Sequence, residues 1–165
     1  IGTVHGPVAM ADYSGSGSVP HLAPGDAGIG TLTLGSTLSI GANNALDYKL
    51  NNPGQAGTDG ASSLVAGVTT LTLGSSSTVN ITPGPNFGVG NYDLIDYTTG
   101  VVGGANLSGW TVNGLTGDTY TLNTGADPTT GATALYLNVT AVPEPAAFGL
   151  VAIASIGLLR RRRRA

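Results

Sequence analysis

The side chains able to do chemistry are few, and their spacing limits what they can do. Residues 1–141 hold eight aspartates (Asp12, Asp26, Asp47, Asp59, Asp93, Asp96, Asp118 and Asp127), one lysine, Lys49, and two histidines, His5 and His21, with no arginine or cysteine. Asp93 and Asp96 are the nearest acidic pair. Glycoside hydrolysis needs two carboxyls about 5–9.5 Å apart across the scissile bond. Three residues apart on a strand, side chains point to opposite faces, so this pair is not expected to act together. A polysaccharide lyase needs a base beside an acidic sugar, usually arginine or lysine. Lys49 alternates with Tyr48 and Leu50 and is expected on the solvent side of its strand.

His5 lies near the start of the chain and His21 follows Pro20 in a turn-like stretch, neither with an identifiable partner. No Gly-x-Ser-x-Gly elbow accompanies them. Asp26, Asp59, Asp118 and Asp127 fall in glycine-rich turns, where carboxylates can ligate calcium, but the EF-hand loop and the Gly-Gly-x-Gly-x-Asp nonapeptide are both absent. They are expected as solvated turn residues, with no metal. Trp110, the single tryptophan, is expected as partly buried packing, with stacking on a sugar as its other role. Without cysteine, disulfides, thiolate metal sites and cysteine catalysis are excluded. No catalytic residue and no cofactor is expected in this piece.

Charge divides the chain. One lysine against eight aspartates leaves residues 1–141 at −7, which the overall −3 conceals behind five arginines at the other end. An acidic body without arginine cannot neutralise phosphates, so nucleic acid is excluded as a partner.

The last stretch has a different construction. Val142-Pro143-Glu144-Pro145 is followed by fourteen uncharged residues, Ala146 to Leu159, and then by Arg160, Arg161, Arg162, Arg163 and Arg164. The apolar content rests on Ala146, Phe148, Leu150, Val151, Ile153, Ile156, Leu158 and Leu159. As a helix this run spans about 21 Å, short of the roughly 30 Å of a hydrocarbon core. A buried core helix competes, but it would not run into five arginines, since charge is costly to bury unpaired. Arginines snorkel and a bilayer thins locally, so membrane lipid is the expected partner of this hydrophobic helix. Arginines beside a membrane segment stay cytoplasmic, placing residues 1–141 outside.

These three parts, in this order, resemble the PEP-CTERM sorting signal of bacterial surface proteins: the triplet Pro143, Glu144, Pro145, a short hydrophobic helix and an arginine-rich end. The resemblance covers about 142–165. It implies export, transient anchoring in the cytoplasmic membrane with the body outside, and handling by an exosortase-type protease that reads the triplet. After processing the body would be at the cell surface or extracellular. Members of the family come from bacteria that make an exopolysaccharide matrix, so extracellular polysaccharide is a further candidate partner. The chain starts at Ile1 without an export signal, so the expectation is a C-terminal piece of a longer protein.

The body is expected to be all-β. Residues 1–20 read as a linker or the end of a preceding repeat, with Ser14-Gly15-Ser16-Gly17-Ser18 of linker composition. Residues 21–141 form the body and 142–165 the sorting and anchor segment. Thr31-Leu32-Thr33-Leu34-Gly35 returns as Thr70-Leu71-Thr72-Leu73-Gly74, an offset of 39 residues, which suits a solenoid unit. Apolar and polar residues alternate through the body, with Leu34, Leu73, Ile81 and Leu94 expected inward. The block from His21 to Leu34 resembles the opening of autotransporter-associated β-strand repeats, and Gly90-Asn91-Tyr92-Asp93-Leu94-Ile95-Asp96-Tyr97 resembles the strand that follows it. That resemblance implies a parallel β-helix-like solenoid of large secreted proteins. Strands over about 109–140 are expected to cap it as antiparallel hairpins.

Two functions stay open on these residues. One is an exported, non-enzymatic surface or matrix protein. The other is the stalk and anchor of a secreted carbohydrate-active enzyme whose catalytic part lies upstream.

Overall fold

The computed structural model describes residues 2–15, 17–25, 28–55, 62–102 and 107–142. Every regular element among them is a strand: β1 Gly2–Val4, β2 Val8–Met10, β3 His21–Leu22, β4 Thr31–Leu34, β5 Leu38–Ile40, β6 Asn44–Leu50, β7 Leu64–Leu73, β8 Ser77–Pro83, β9 Gly90–Val102, β10 Thr111–Asn113, β11 Thr119–Ala126 and β12 Thr133–Ala141. Threonine, valine, isoleucine and leucine fill these segments, and such residues suit a half-buried pleated surface. The hydrophobic helix expected over 146–159 lies outside the described residues. Among the described residues no helix is long and apolar enough to cross a membrane.

The strands form two sheets. The first runs β1-β4-β7-β9-β12-β11, with β2 and β5 alongside, and the second runs β10-β8-β6-β3. From β6 to β10 the chain alternates between them. All pairings up to β9 and β10 are parallel, including β4 on β7, β6 on β8 and β7 on β9. Stacked residues are 33 apart where β4 and β5 meet β7, where β6 meets β8 and where β8 meets β10. The step is 30 where β1 meets β4 and β2 meets β5.

The 39-residue offset is therefore not the structural step. Thr31–Thr33 pair with Leu64–Ala66, and the second Thr-Leu-Thr-Leu run lies beside Leu38–Ile40 instead. The reason is strand length. Gly35, Ser36 and Thr37 separate β4 from β5, whereas β7 is continuous over ten residues and serves both positions. Both runs precede a glycine and both end a strand, so their similarity marks strand ends rather than stacking partners.

Residues 2–10 carry β1 and β2, stacked on β4 and β5, and the Ser14–Ser18 stretch connects them to β3. At the other end β12 pairs antiparallel with both β9 and β11. β10, expected within the antiparallel hairpins, instead extends the parallel second sheet on β8. Asn113-Gly114, the best hairpin signal in the chain, makes no hairpin. Gly114 turns the chain with φ 93° out of the second sheet, and β11 lies in the first.

The two sheets enclose one core. Leu34, Leu38, Ile40 and Leu71 from the first sheet pack with Leu46, Tyr48, Leu50 and Val79 from the second, and Tyr92, Leu94, Leu135 and Leu137 continue it. Leu34, Leu73, Ile81 and Leu94 are all buried, as their alternation predicts. At the corner after β5, Gly41 stacks beneath Gly74. A Cβ on Gly74 would sit 2.6 Å from backbone atoms of Gly41 and Ala42, and one on Gly41 2.6 Å from the Asp12 amide nitrogen. Only glycine lets successive corners approach so closely.

A polar ladder runs over the outer face of the second sheet. Asn113 Nδ2 donates to Asn80 Oδ1 at 3.3 Å, Asn80 Nδ2 to Asp47 Oδ1 at 2.7 Å, and Asp47 Oδ2 meets His21 Nδ1 at 2.5 Å. The 33-residue step puts Asp47, Asn80 and Asn113 in one column. His21 thus has a partner that its sequence neighbours do not reveal.

If the inward face is as described, Leu34→Ala should lower unfolding free energy by about 2–5 kcal/mol. Thr33→Ala, on the half-exposed side of the same strand, should cost about 0.5 kcal/mol or less. Chemical denaturation of the two variants, followed by far-UV circular dichroism, measures the difference.

Candidate functional site

The acidic residues of β9 are closer together than strand alternation allows. Ile95 pairs with Leu135 and Asp93 with Tyr136, so Leu94 is an extra residue opposite the Leu135–Tyr136 step. This bulge sends both Leu94 and Ile95 into the core, where each is fully buried. It also corrects the expectation that Asp93 and Asp96 face apart. Both carboxyls lie on the other side, where the turn between β11 and β12 brings Asp127 against them.

Asp127 organises that turn. Its Oδ1 accepts from the Thr129 amide at 2.5 Å, from the Thr130 amide at 3.4 Å and from Asn91 Nδ2 at 2.9 Å. Its backbone carbonyl accepts from the Gly131 amide at 2.8 Å. Asn91 also donates to Thr129 Oγ1 at 3.0 Å and receives Asn138 Nδ2 on its Oδ1. Asp93 Oδ2 accepts the Thr130 hydroxyl at 2.8 Å. Asp127, expected as a solvated turn residue, is 1% exposed, and Asp93 is 3% exposed. The short polar turn has to satisfy its own amides, and a buried carboxylate does so. Asp118 is partly buried, while Asp26 and Asp59 lie outside the described residues.

Two buried carboxyls in hydrogen-bond contact cannot both ionise freely. Burial, then the hydrogen bond shared with Asp127, pushes Asp93 up to about 7 from its ordinary 3.8. Burial alone would raise Asp127 too, but the hydrogen bond from Asp93 and those from Thr129, Asn91 and Thr130 outweigh it and hold Asp127 below the usual range. Asp96 is raised by burial and then by the charge of Asp127. The pair therefore holds one proton, carried by Asp93. Direct carboxyl contact is closer than either spacing used in glycoside hydrolysis, which leaves no room for a sugar between them. Among the described residues no three acidic or histidine side chains are arranged to hold a metal ion.

The aromatic residues considered for sugar stacking are packed inside. Trp110 is 8% exposed, with its Nε1 donating to the Gly74 carbonyl at 3.0 Å, and Tyr97 is 6% exposed. Lys49 is partly exposed between the buried Tyr48 and Leu50.

The chain's other candidate site begins where β12 ends. Pro143, Glu144, Pro145, the apolar residues from Ala146 to Leu159 and Arg160–Arg164 all lie outside the described residues, beyond a strand whose last pair is Ala141 with Thr119. A family model described as the PEP-CTERM protein-sorting motif matches residues 141–164. The chain carries a PEP-CTERM sorting motif. Its triplet, apolar run and basic end are the segments picked out above, and the motif implies handling by an exosortase-type protease. Ahead of the motif, the chain is 39% identical over 77 residues to a protein named adhesin BmaC autotransporter, from Brucella suis biovar 1 (strain 1330). The match covers 47% of this chain and 2% of that protein. No solved structure matches the chain.

The carboxyl pair gives stability a pH dependence of defined sign. Between about pH 4 and pH 7 the folded chain keeps a proton on Asp93 that the unfolded chain has released, so stability falls as pH rises through that interval. Asp127 acts oppositely, its contribution being present above its ordinary 3.8 and lost below it. Asp93→Asn, which imitates the protonated carboxyl, should be nearly neutral at pH 5 and stabilising by roughly 1–3 kcal/mol at pH 8. Thermal unfolding of both proteins across this range reads the effect, and identical pH profiles would remove the shared proton.

Proposed function

We propose that this is an exported, non-enzymatic cell-surface or extracellular-matrix protein. In this reading its body is a β-helix-like solenoid and its C-terminal segment directs sorting. The observation that carries the reading is the sorting motif at residues 141–164, joined directly to the last core strand. Because the motif implies a membrane-anchored precursor and export, the body would be delivered to the outside. The adhesin likeness ahead of the motif supports a surface role, although only 2% of that much longer protein is involved. Two parallel sheets, wound at a nearly constant step around one core, support the solenoid.

In this reading the apolar residues from Ala146 to Leu159 enter membrane lipid, Arg160–Arg164 stay on the cytoplasmic side, and Pro143-Glu144-Pro145 is read by the protease on the other. The body then serves as a rigid displayed module. Its one buried carboxyl pair braces a turn instead of facing a substrate, which supports the non-enzymatic part of the proposal. Extracellular polysaccharide is the proposed surrounding medium.

Replacing Pro143, Glu144 and Pro145 together with alanine should trap the full-length membrane form in a host with an exosortase-type protease. Mass spectrometry of the mature protein is the measurement, and an identical mature mass for wild type and variant would show that the triplet is not read. Turnover of an acidic or neutral polysaccharide by the purified protein, lost on an aspartate substitution, would overturn the non-enzymatic reading.

A further inference from the structure

The two sheets end at different heights. After β9 the first sheet adds β12 and β11, whereas the second stops at β10. The inner side of β11 therefore overhangs a position where the second sheet has no strand. This step forms a groove of about 810 Å³, lined on one side by Leu107, Trp110 and Val112 and on the other by Tyr120, Leu122 and Thr124. No charged side chain lines it, although the body as a whole carries −7. Both bordering strands are sheet edges, and the Tyr120 hydroxyl spans the groove to donate to the Val112 carbonyl at 3.1 Å.

The course of the chain names the occupant. β12 ends with Ala141 opposite Thr119, the residue before Tyr120, so the following residues set out from the mouth of the groove. Within a few residues they become the fourteen uncharged positions from Ala146 to Leu159. Extended at about 3.3 Å per residue, such a run outreaches the eight-residue β11. A short tether gives it an effective concentration in the millimolar range at that groove. The five arginines beyond are attracted by the acidic body, which adds charge complementarity to apolar match. In water an apolar run of this length otherwise stays exposed.

We infer that the apolar run Ala146–Leu159 docks in the β10–β11 groove while the protein is in water, and that lipid competes with the groove for it. The groove is thus a holding site for the chain's own hydrophobic segment. This docking goes beyond the sorting reading and does not depend on it.

Hydrogen exchange on the full chain tests the inference. The amides of Thr111–Asn113 and Thr119–Thr124 should be protected in buffer, and Val151→Asp, which leaves the folded body untouched, should speed their exchange by about tenfold or more. Leu122→Asp should do the same from the groove side while the β7 amides keep their protection. Equal exchange in wild type and Val151→Asp overturns the docking. Protection that rises with protein concentration, together with a dimer by light scattering, also overturns it and gives the groove to a second copy. Vesicles of phosphatidylethanolamine and phosphatidylglycerol should release the tail-dependent protection. If they do not, while Val151→Asp still removes it, docking stands and the membrane reading of the tail fails.

Discussion

Parallel pairing at a constant step is the constraint on which the rest of this protein depends. When residues 33 apart lie side by side, each side chain meets its own equivalent on the next strand. Leucine falls on valine in the core column of Leu46, Val79 and Val112, and asparagine on asparagine or aspartate in the outer one. Gly41 falls beneath Gly74 at the corner. A change of one residue in the step would move every one of these columns, placing Asn80 or Asp47 where the core requires an apolar side chain. Core, corner and polar ladder are consequences of one register.

Period-two alternation made the strands and the inward positions legible, because side-chain direction on a strand is set locally. Leu34, Leu73, Ile81 and Leu94 could be placed without knowing any neighbour. The step could not. Two similar segments 39 residues apart suggested a repeat, yet the stacking depends on whether a strand is interrupted, as between β4 and β5, or continuous, as in β7. A three-residue corner weighs little in a sequence comparison and decides the register. His21 was opaque for the same reason, since its partner Asp47 is supplied by a neighbouring strand 26 positions away.

The acidic pair shows a different limit. Asp93 and Asp96 looked harmless because regular pleating sends them apart, and a single extra residue, Leu94, reverses that. The substitution pattern that hides the bulge is itself visible: Leu94 and Ile95 are consecutive apolar residues in an otherwise alternating strand. Two adjacent core residues either place one in solvent or break the pleat, and here the pleat breaks. The partner carboxyl on Asp127 could be found only by folding, since it arrives with the β11–β12 turn. The sorting motif is the reverse case. Its parts are contiguous and their order carries the meaning, so it was readable from residues 142–165 without any fold.

The position of β12 has a mechanical consequence. The chain's final core strand is not an edge: it lies between β9 and β11, bonded on both sides, and the sorting motif begins at its last residue. A pull applied through the C-terminus is directed along β12 itself. The two rows of hydrogen bonds are then loaded together, in shear, and cannot open one after another as they would if the tethered strand peeled from a margin. Antiparallel closure thus places the point of attachment where the sheet best resists being unravelled.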